Sequence, residues 1–269
     1  MDRTSFESVQ LAAERWGSGP PVVFVHGIGG SARYWRPLAD VSGGYRGVAV
    51  DLLGFGRSPR PRSAAYDLEE HLAALTPLIS PASTLVAHST GAVLAGALAN
   101  RRPDLVSRLL LIGAPLYADV AEARTEVRRL GWLARVTASG DLAGRAACAV
   151  LHGLVRPVSS LLPTVLPDEV VQDFWEHSWR SYSQTLRQVV IGHPLLSDLA
   201  RLRMPGTLLY GAQDRTAARH ALPELLERNS LLHALEVPGD HHVPARSPIR
   251  VAAVLHALLA QAPVDREWD

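Results

Sequence analysis

Six short apolar runs, each closing on Gly, Pro, Asp or His, constrain what this chain can fold into more than any other feature. They are PVVFVHG at 21–27, GVAVDLLG at 47–54, TLVAHSTG at 84–91, RLLLIGAP at 108–115, TLLYGAQD at 207–214 and HALEVPGD at 233–240. Runs this short that end in turn residues read as buried strands. Between them, 66–79, 91–102 and 217–228 repeat apolar residues at helical spacing. Alternating strand and helix predicts a mostly parallel sheet covered by helices on both faces. The segment 5–17 is expected to add one or two strands as an edge hairpin.

The stretch from 117 to about 195 breaks this rhythm. It has no comparable strand and carries periodic Leu, Val and Ala broken by Gly140, Gly144, Pro157, Pro163 and Pro167, a pattern of several helices. The expected organisation is a core built from 1–116 and 196–269, with 117–195 inserted as a helical cap.

Composition narrows the function classes. The 269 residues carry a net charge of +1, which favours neither a nucleic acid nor an anionic membrane. All 27 basic residues are arginine, so no lysine can form a Schiff base. The single Cys148 excludes an internal disulfide and, on this reading, a cysteine-based zinc site. The N-terminal MDRTSFESVQLAAERWG lacks the charged-then-apolar order of a signal peptide, and no stretch reaches the roughly 18 apolar residues of a spanning helix. The expectation is a soluble cytoplasmic protein without membrane insertion. Its oligomeric state is not encoded in any pattern.

VAHSTG at 86–91 places a serine where a strand turns directly into the Gly- and Ala-rich start of a helix. Such a reversal needs small neighbours, and Ala87 and Gly91 supply them two residues before and two after Ser89. A serine hydroxyl needs a base to take its proton and an acid to orient that base. Asp214 ends the run TLLYGAQD, where a carboxylate emerges at the same sheet edge. His242 follows 28 residues later in VPGDHHVP, beyond the next strand. An isolated Asp after a strand is ordinarily a turn or helix cap, and a histidine pair in a loop is ordinarily surface decoration. The joint order Ser, acid, His, each after a strand, raises the catalytic reading above those. Two backbone N–H groups must then meet the charge on an attacked carbonyl oxygen. Thr90, after the serine, and Ile28, in the Gly-rich loop HGIGG after the first run, are the expected donors. Neither G-x-G-x-x-G nor a P-loop lysine is present, so that loop is not read as a phosphate cradle.

With HGIGG at 26–30, DLLGFGRS at 51–58, AHSTG at 87–91, YGAQD at 210–214 and VPGDHHVP at 237–244, the chain resembles the α/β-hydrolase fold superfamily over nearly its full length. The resemblance implies a mostly parallel eight-stranded-type sheet with a helical cap after the sixth strand. It also implies a serine nucleophile elbow. Three departures stand out: Leu53 where Pro is frequent, Ala87 for Gly, and GDHH where the family commonly has Gly-x-Gly-His. That last alignment puts His242 on the catalytic position and His241 on the Gly position. Relatives with Asp at the elbow are dehalogenases and epoxide hydrolases; Ser89 argues against both. The resemblance implies a serine hydrolase with no metal and no organic cofactor, and the apolar runs GWLARV at 131–136 and AACAVLHGLV at 146–155 make a small, largely apolar carboxylic ester or lactone the expected substrate. Carbon–carbon bond hydrolysis, thioester release or cyclisation, and peroxide-dependent chemistry share the same residues. A non-catalytic ligand-binding protein on this scaffold is the reading from another class.

Overall fold

The computed structural model describes residues 9–130, 135, 142–157 and 166–261. Seven strands form one sheet: β1 Ala13–Trp16, β2 Pro21–Val25, β3 Arg46–Val50, β4 Ser83–His88, β5 Val106–Ile112, β6 Gly206–Gly211 and β7 Leu232–Val237. Their spatial order is β1-β3-β2-β4-β5-β6-β7. All pairs are parallel except β1 with β3, which run antiparallel at the edge. Each of the six apolar runs thus begins as a strand. The expected edge hairpin contributes β1, and the part of 5–17 before residue 9 lies outside the described residues. Seven strands rather than eight are described, and the long helical insertion follows β5, the fifth of them.

The helices are α1 Arg36–Val41, α2 Leu68–Leu75, α3 Thr90–Arg101, α4 Val120–Arg129, α5 Leu142–Leu154, α6 Asp168–Phe174, α7 Trp179–Thr185, α8 Leu195–Leu199, α9 Leu222–Arg228, α10 Val243–Arg246 and α11 Pro248–Ala260. A π-helical turn, Leu186–Ile191, follows α7. Among the described residues no helix is long and apolar enough to cross a membrane.

Every residue of β4 is buried, because helices cover the sheet on both sides. One face packs Leu85, Ala87, Leu94, Leu98 and Leu199 into a core with α2, α3 and α8. The other packs Phe24, Trp35, Val86, Leu110 and Leu255 with α1 and α11. The strand order reverses its direction of travel at β2 and β4, which are neighbours although β3 lies between them in the chain. Loops leaving the carboxyl ends of two such strands diverge and leave a crevice, the place where open α/β sheets bind ligands. HGIGG leaves β2 and Ser89 leaves β4 at this point.

Candidate active site

Ser89 sits between β4 and α3 with φ 52° and ψ −116°, a left-handed backbone region that costs a non-glycine residue about 1–3 kcal/mol. Its N–H donates to Ile112 O at 2.9 Å, and its carbonyl accepts from Ala92 N at 2.9 Å, so both neighbouring elements hold the bend. The turn closes this tightly because residue 91 is glycine. A Cβ there would lie 2.4 Å from Val25 O and 2.7 Å from His26 O, inside any allowed contact.

The adjoining loop is fixed from beneath. His26 is buried; its Nδ1–H donates to Gly27 O at 2.7 Å and its Nε2 accepts from Leu52 N–H at 3.0 Å. Burial lowers the His26 pKa, so the ring serves as a neutral strut. The DLLGFGRS motif has a similar part: Asp51 accepts from Ala32 N and from Arg57 N and Nε. Gly30 N–H closes a turn onto Gly27 O at 3.0 Å, which leaves Ile28 at its tip facing the crevice. Thr90 is the first residue of α3, and the amides of a helix's first turn have no intrahelical acceptor.

Asp214 follows β6, where its Oδ1 accepts from Thr216 N at 2.8 Å and Ala217 N at 3.1 Å. Its Oδ2 accepts from a histidine Nδ1–H at 2.9 Å, and that histidine is His241. Burial pushes the Asp214 pKa up, but the His241 hydrogen bond and charge with the two amides outweigh it and hold the carboxylate ionised. The expected pairing of Asp214 with His242 is therefore corrected by one residue. The reason lies in the turn: Gln213 N–H donates to Gly239 O and Gly239 N–H to Gln213 Oε1, both at 2.9 Å, so 239 is held directly over 213. The next side chain able to reach Asp214 is that of residue 241. His242 becomes the residue before α10, with its N–H on Asp240 Oδ1 at 3.0 Å and its Nδ1 3.4 Å from the Tyr34 hydroxyl. Space for the pair comes from Gly113, at φ +59°, where a Cβ would lie 2.9 Å from His241 Cε1 and Nδ1 and 3.3 Å from Asp214 Oδ2.

A third histidine completes the cluster. His88 is buried between Tyr34, stacked at 5.0 Å, and His241, at 4.6 Å between ring centroids. Its Nε2–H donates to the His241 backbone carbonyl at 2.8 Å. Burial, then the neighbouring His241 and His242, drive its pKa well below the usual imidazole range. Sequence patterning did not single out this residue, although its place directly before the serine put it at the site.

Ser89, Thr90, Ile28, His241 and His242 all line one cavity of about 620 Å³. Its far wall comes from the insertion, chiefly Val127, Val170, Phe174, Trp175, Leu186 and Val190. Buried Asp173 of α6 bonds both Ser31 and Arg33, which clamps that wall to the loop carrying Ile28. Outside this cavity, three side chains of metal-ligating type, Cys148, His152 and His177, converge among the described residues. Sequence reasoning missed them; the visible signal was the four-residue spacing of Cys148 and His152.

A mostly parallel sheet with a strained serine at its switch point and an Asp–His pair from the ends of β6 and β7 defines an α/β enzyme core of the hydrolase type. The chain belongs to the alpha/beta hydrolase family, whose model matches residues 22–254. Among curated proteins it is 36% identical over 123 residues to "Probable lysophospholipase BODYGUARD 2" of Arabidopsis thaliana. That match covers 42% of this chain and 26% of the relative, so the chain spans about a quarter of the relative's length. In overall fold it resembles an epoxide hydrolase of Bacillus megaterium, with TM-score 0.75, 20% identity and coverage of 95% of this chain and 98% of that one. It also resembles the enol-lactonase of Burkholderia xenovorans LB400, with TM-score 0.72, 18% identity and coverage of 93% and 96%.

Proposed function

We propose that this protein is a serine hydrolase that cleaves a small, largely apolar carboxylic ester or lactone through an acyl-enzyme on Ser89. The observation that carries the reading is that Ser89 and His241, the latter held by Asp214, line one cavity with an apolar far wall. In this scheme Ser89 Oγ attacks the carbonyl carbon and its proton passes to His241 Nε2. That nitrogen carries the lone pair because Nδ1 keeps its proton on Asp214. The N–H groups of Ile28 and Thr90 receive the oxyanion. His241 then returns the proton to the leaving alkoxide, and the same steps with water release the acid. A neutral His88 suits this cycle, since a second cation beside His241 would oppose formation of the imidazolium.

Substrate class follows from the wall. A cavity of about 620 Å³ falls in the range that accommodates small ligands. Its aliphatic and aromatic lining favours an acyl chain or ring over a sugar or peptide. In this reading 117–195 acts as the cap that sets selectivity. Residues 131–134, 136–141 and 158–165 of it lie outside the described residues.

Fluorophosphonate labelling with p-nitrophenyl esters of increasing acyl length tests the proposal. Wild type should label at one site and turn over the esters, and Ser89→Ala should do neither. His241→Ala should lose nearly as much, and His242→Ala should lose about tenfold through the lost contact with Tyr34. Efficient labelling of His241→Ala with loss in His242→Ala would reverse the assignment of the base. Absence of labelling in folded wild type would leave a ligand-binding protein as the better reading.

A further inference from the structure

We propose that Cys148, His152 and His177 form a binding site for a Zn²⁺-class transition-metal ion within the helical insertion, separate from the Ser89 cavity. One ligand atom from each, a thiol sulfur and two imidazole nitrogens, lies within 4.8 Å of the others. A single cysteine excludes the Cys₄ and Cys₂His₂ sets, but the fold assembles a Cys-His₂ set that needs only one.

The geometry fits an ion more closely than chance proximity does. Cys148 and His152 are four residues apart on α5, so they share one face of the helix. His177 enters from the turn between α6 and α7. The Nε2 atoms of His152 and His177 face each other at 3.4 Å. Two nitrogens bound tetrahedrally to zinc at about 2.0–2.1 Å are themselves about 3.4 Å apart. The sulfur, within 4.8 Å of both nitrogens, needs an approach of at most about 1.2 Å to reach the corresponding nitrogen–sulfur edge of about 3.6 Å.

The surroundings prepare the ligands. His177 Nδ1–H donates to Phe174 O at 2.6 Å, which fixes its proton there and leaves the Nε2 lone pair pointing at the site. A ligating histidine almost always has such a partner on its other nitrogen. Leu151, Phe174, Trp175, Trp179 and Tyr182 enclose the cluster. Binding would replace the Cys148 S–H bond by a sulfur–metal bond, with the proton released to solvent. His152 would carry its proton on Nδ1, and water would take the fourth position. Thiolate with two imidazoles is a donor set of intermediate softness, suited to Zn²⁺ and Co²⁺ rather than Mg²⁺ or Ca²⁺.

The site has a structural consequence. Phe174, Trp175 and Tyr182 line both this cluster and the Ser89 cavity. An ion bridging α5 to the turn at His177 would tie the outer helix to the wall that contacts substrate.

The test uses full-length protein stripped with chelator and titrated with Co²⁺, then with Zn²⁺ in competition. Because Cys148 is the sole cysteine, a thiolate-to-cobalt charge-transfer band reports this site and not the histidines near Ser89. One equivalent should bind with a dissociation constant of about 10⁻⁶ M or tighter, with that band and tetrahedral d–d absorption. Cys148→Ser should abolish the band and weaken Zn²⁺ binding by about 100-fold or more, and His152→Gln should weaken it comparably. Zn²⁺ should raise the melting temperature of wild type and not of Cys148→Ser, while Ser89 labelling by fluorophosphonate reports that each variant is folded. Failure of folded wild type to bind, binding without the thiolate band, or equal binding by Cys148→Ser would each overturn the proposal.

Discussion

Gly113→Ala probes the pairing of His241 with Asp214 without touching either residue. The added methyl group would sit 2.9 Å from two atoms of the His241 ring, whereas ordinary heavy-atom contacts settle at about 3.5–4.0 Å. The ring must therefore retreat by about half an ångström or more, against a 2.9 Å hydrogen bond that holds its Nδ1 to Asp214. Displacing a catalytic group by about 1 Å costs on the order of 100-fold, so a loss of 10- to 100-fold in kcat is expected. The φ of +59° adds a backbone penalty of about 1–2 kcal/mol, equivalent to roughly 2–8 °C in melting temperature for a chain of this size. Fluorophosphonate labelling rates and nitrophenyl ester turnover, measured beside a thermal melt, separate the two effects. A variant that melts within that window but labels within twofold of wild type would show that His241 does not act on Ser89.

Ser89→Ala should lower kcat by about 10⁴-fold or more while the fold persists, since alanine keeps the Cβ and the same backbone turn. Val190→Phe fills part of the cavity wall, so it should raise KM for long acyl esters and leave kcat for acetate nearly unchanged; equal effects across the series would remove the insertion from substrate selection. Buried His71 has its pKa lowered from 6.5 to about 3 by burial, so between those values the unfolded chain binds a proton that the folded one does not. Stability is therefore complete above pH 6.5 and lost as pH falls toward 3, and wild type should melt lower at about pH 4.5 than at pH 7. His71→Gln, which can keep the 2.9 Å bond to Thr185 Oγ1, should flatten that slope; an unchanged slope would assign the acid sensitivity elsewhere.

Patterns local to the chain were legible in the sequence because their causes are local. Apolar runs bounded by turn residues announced six strands, since a buried parallel strand shows the same composition wherever it lies in the sheet. The small residues at 87 and 91 announced the bend at Ser89, since steric crowding at a strand-to-helix turn acts within two residues. The carboxylate at the end of TLLYGAQD was visible for the same reason. Tertiary structure alone decided which histidine meets that carboxylate. A single residue of register turns on hydrogen bonds between Gly239 and Gln213, and on the absence of a side chain at Gly113. The role of His88 depends likewise on a carbonyl 153 residues away. The Cys148–His152–His177 cluster was hidden because its third member comes from another helix-turn segment, and sequence spacing carries no information about distance once the chain folds back on itself.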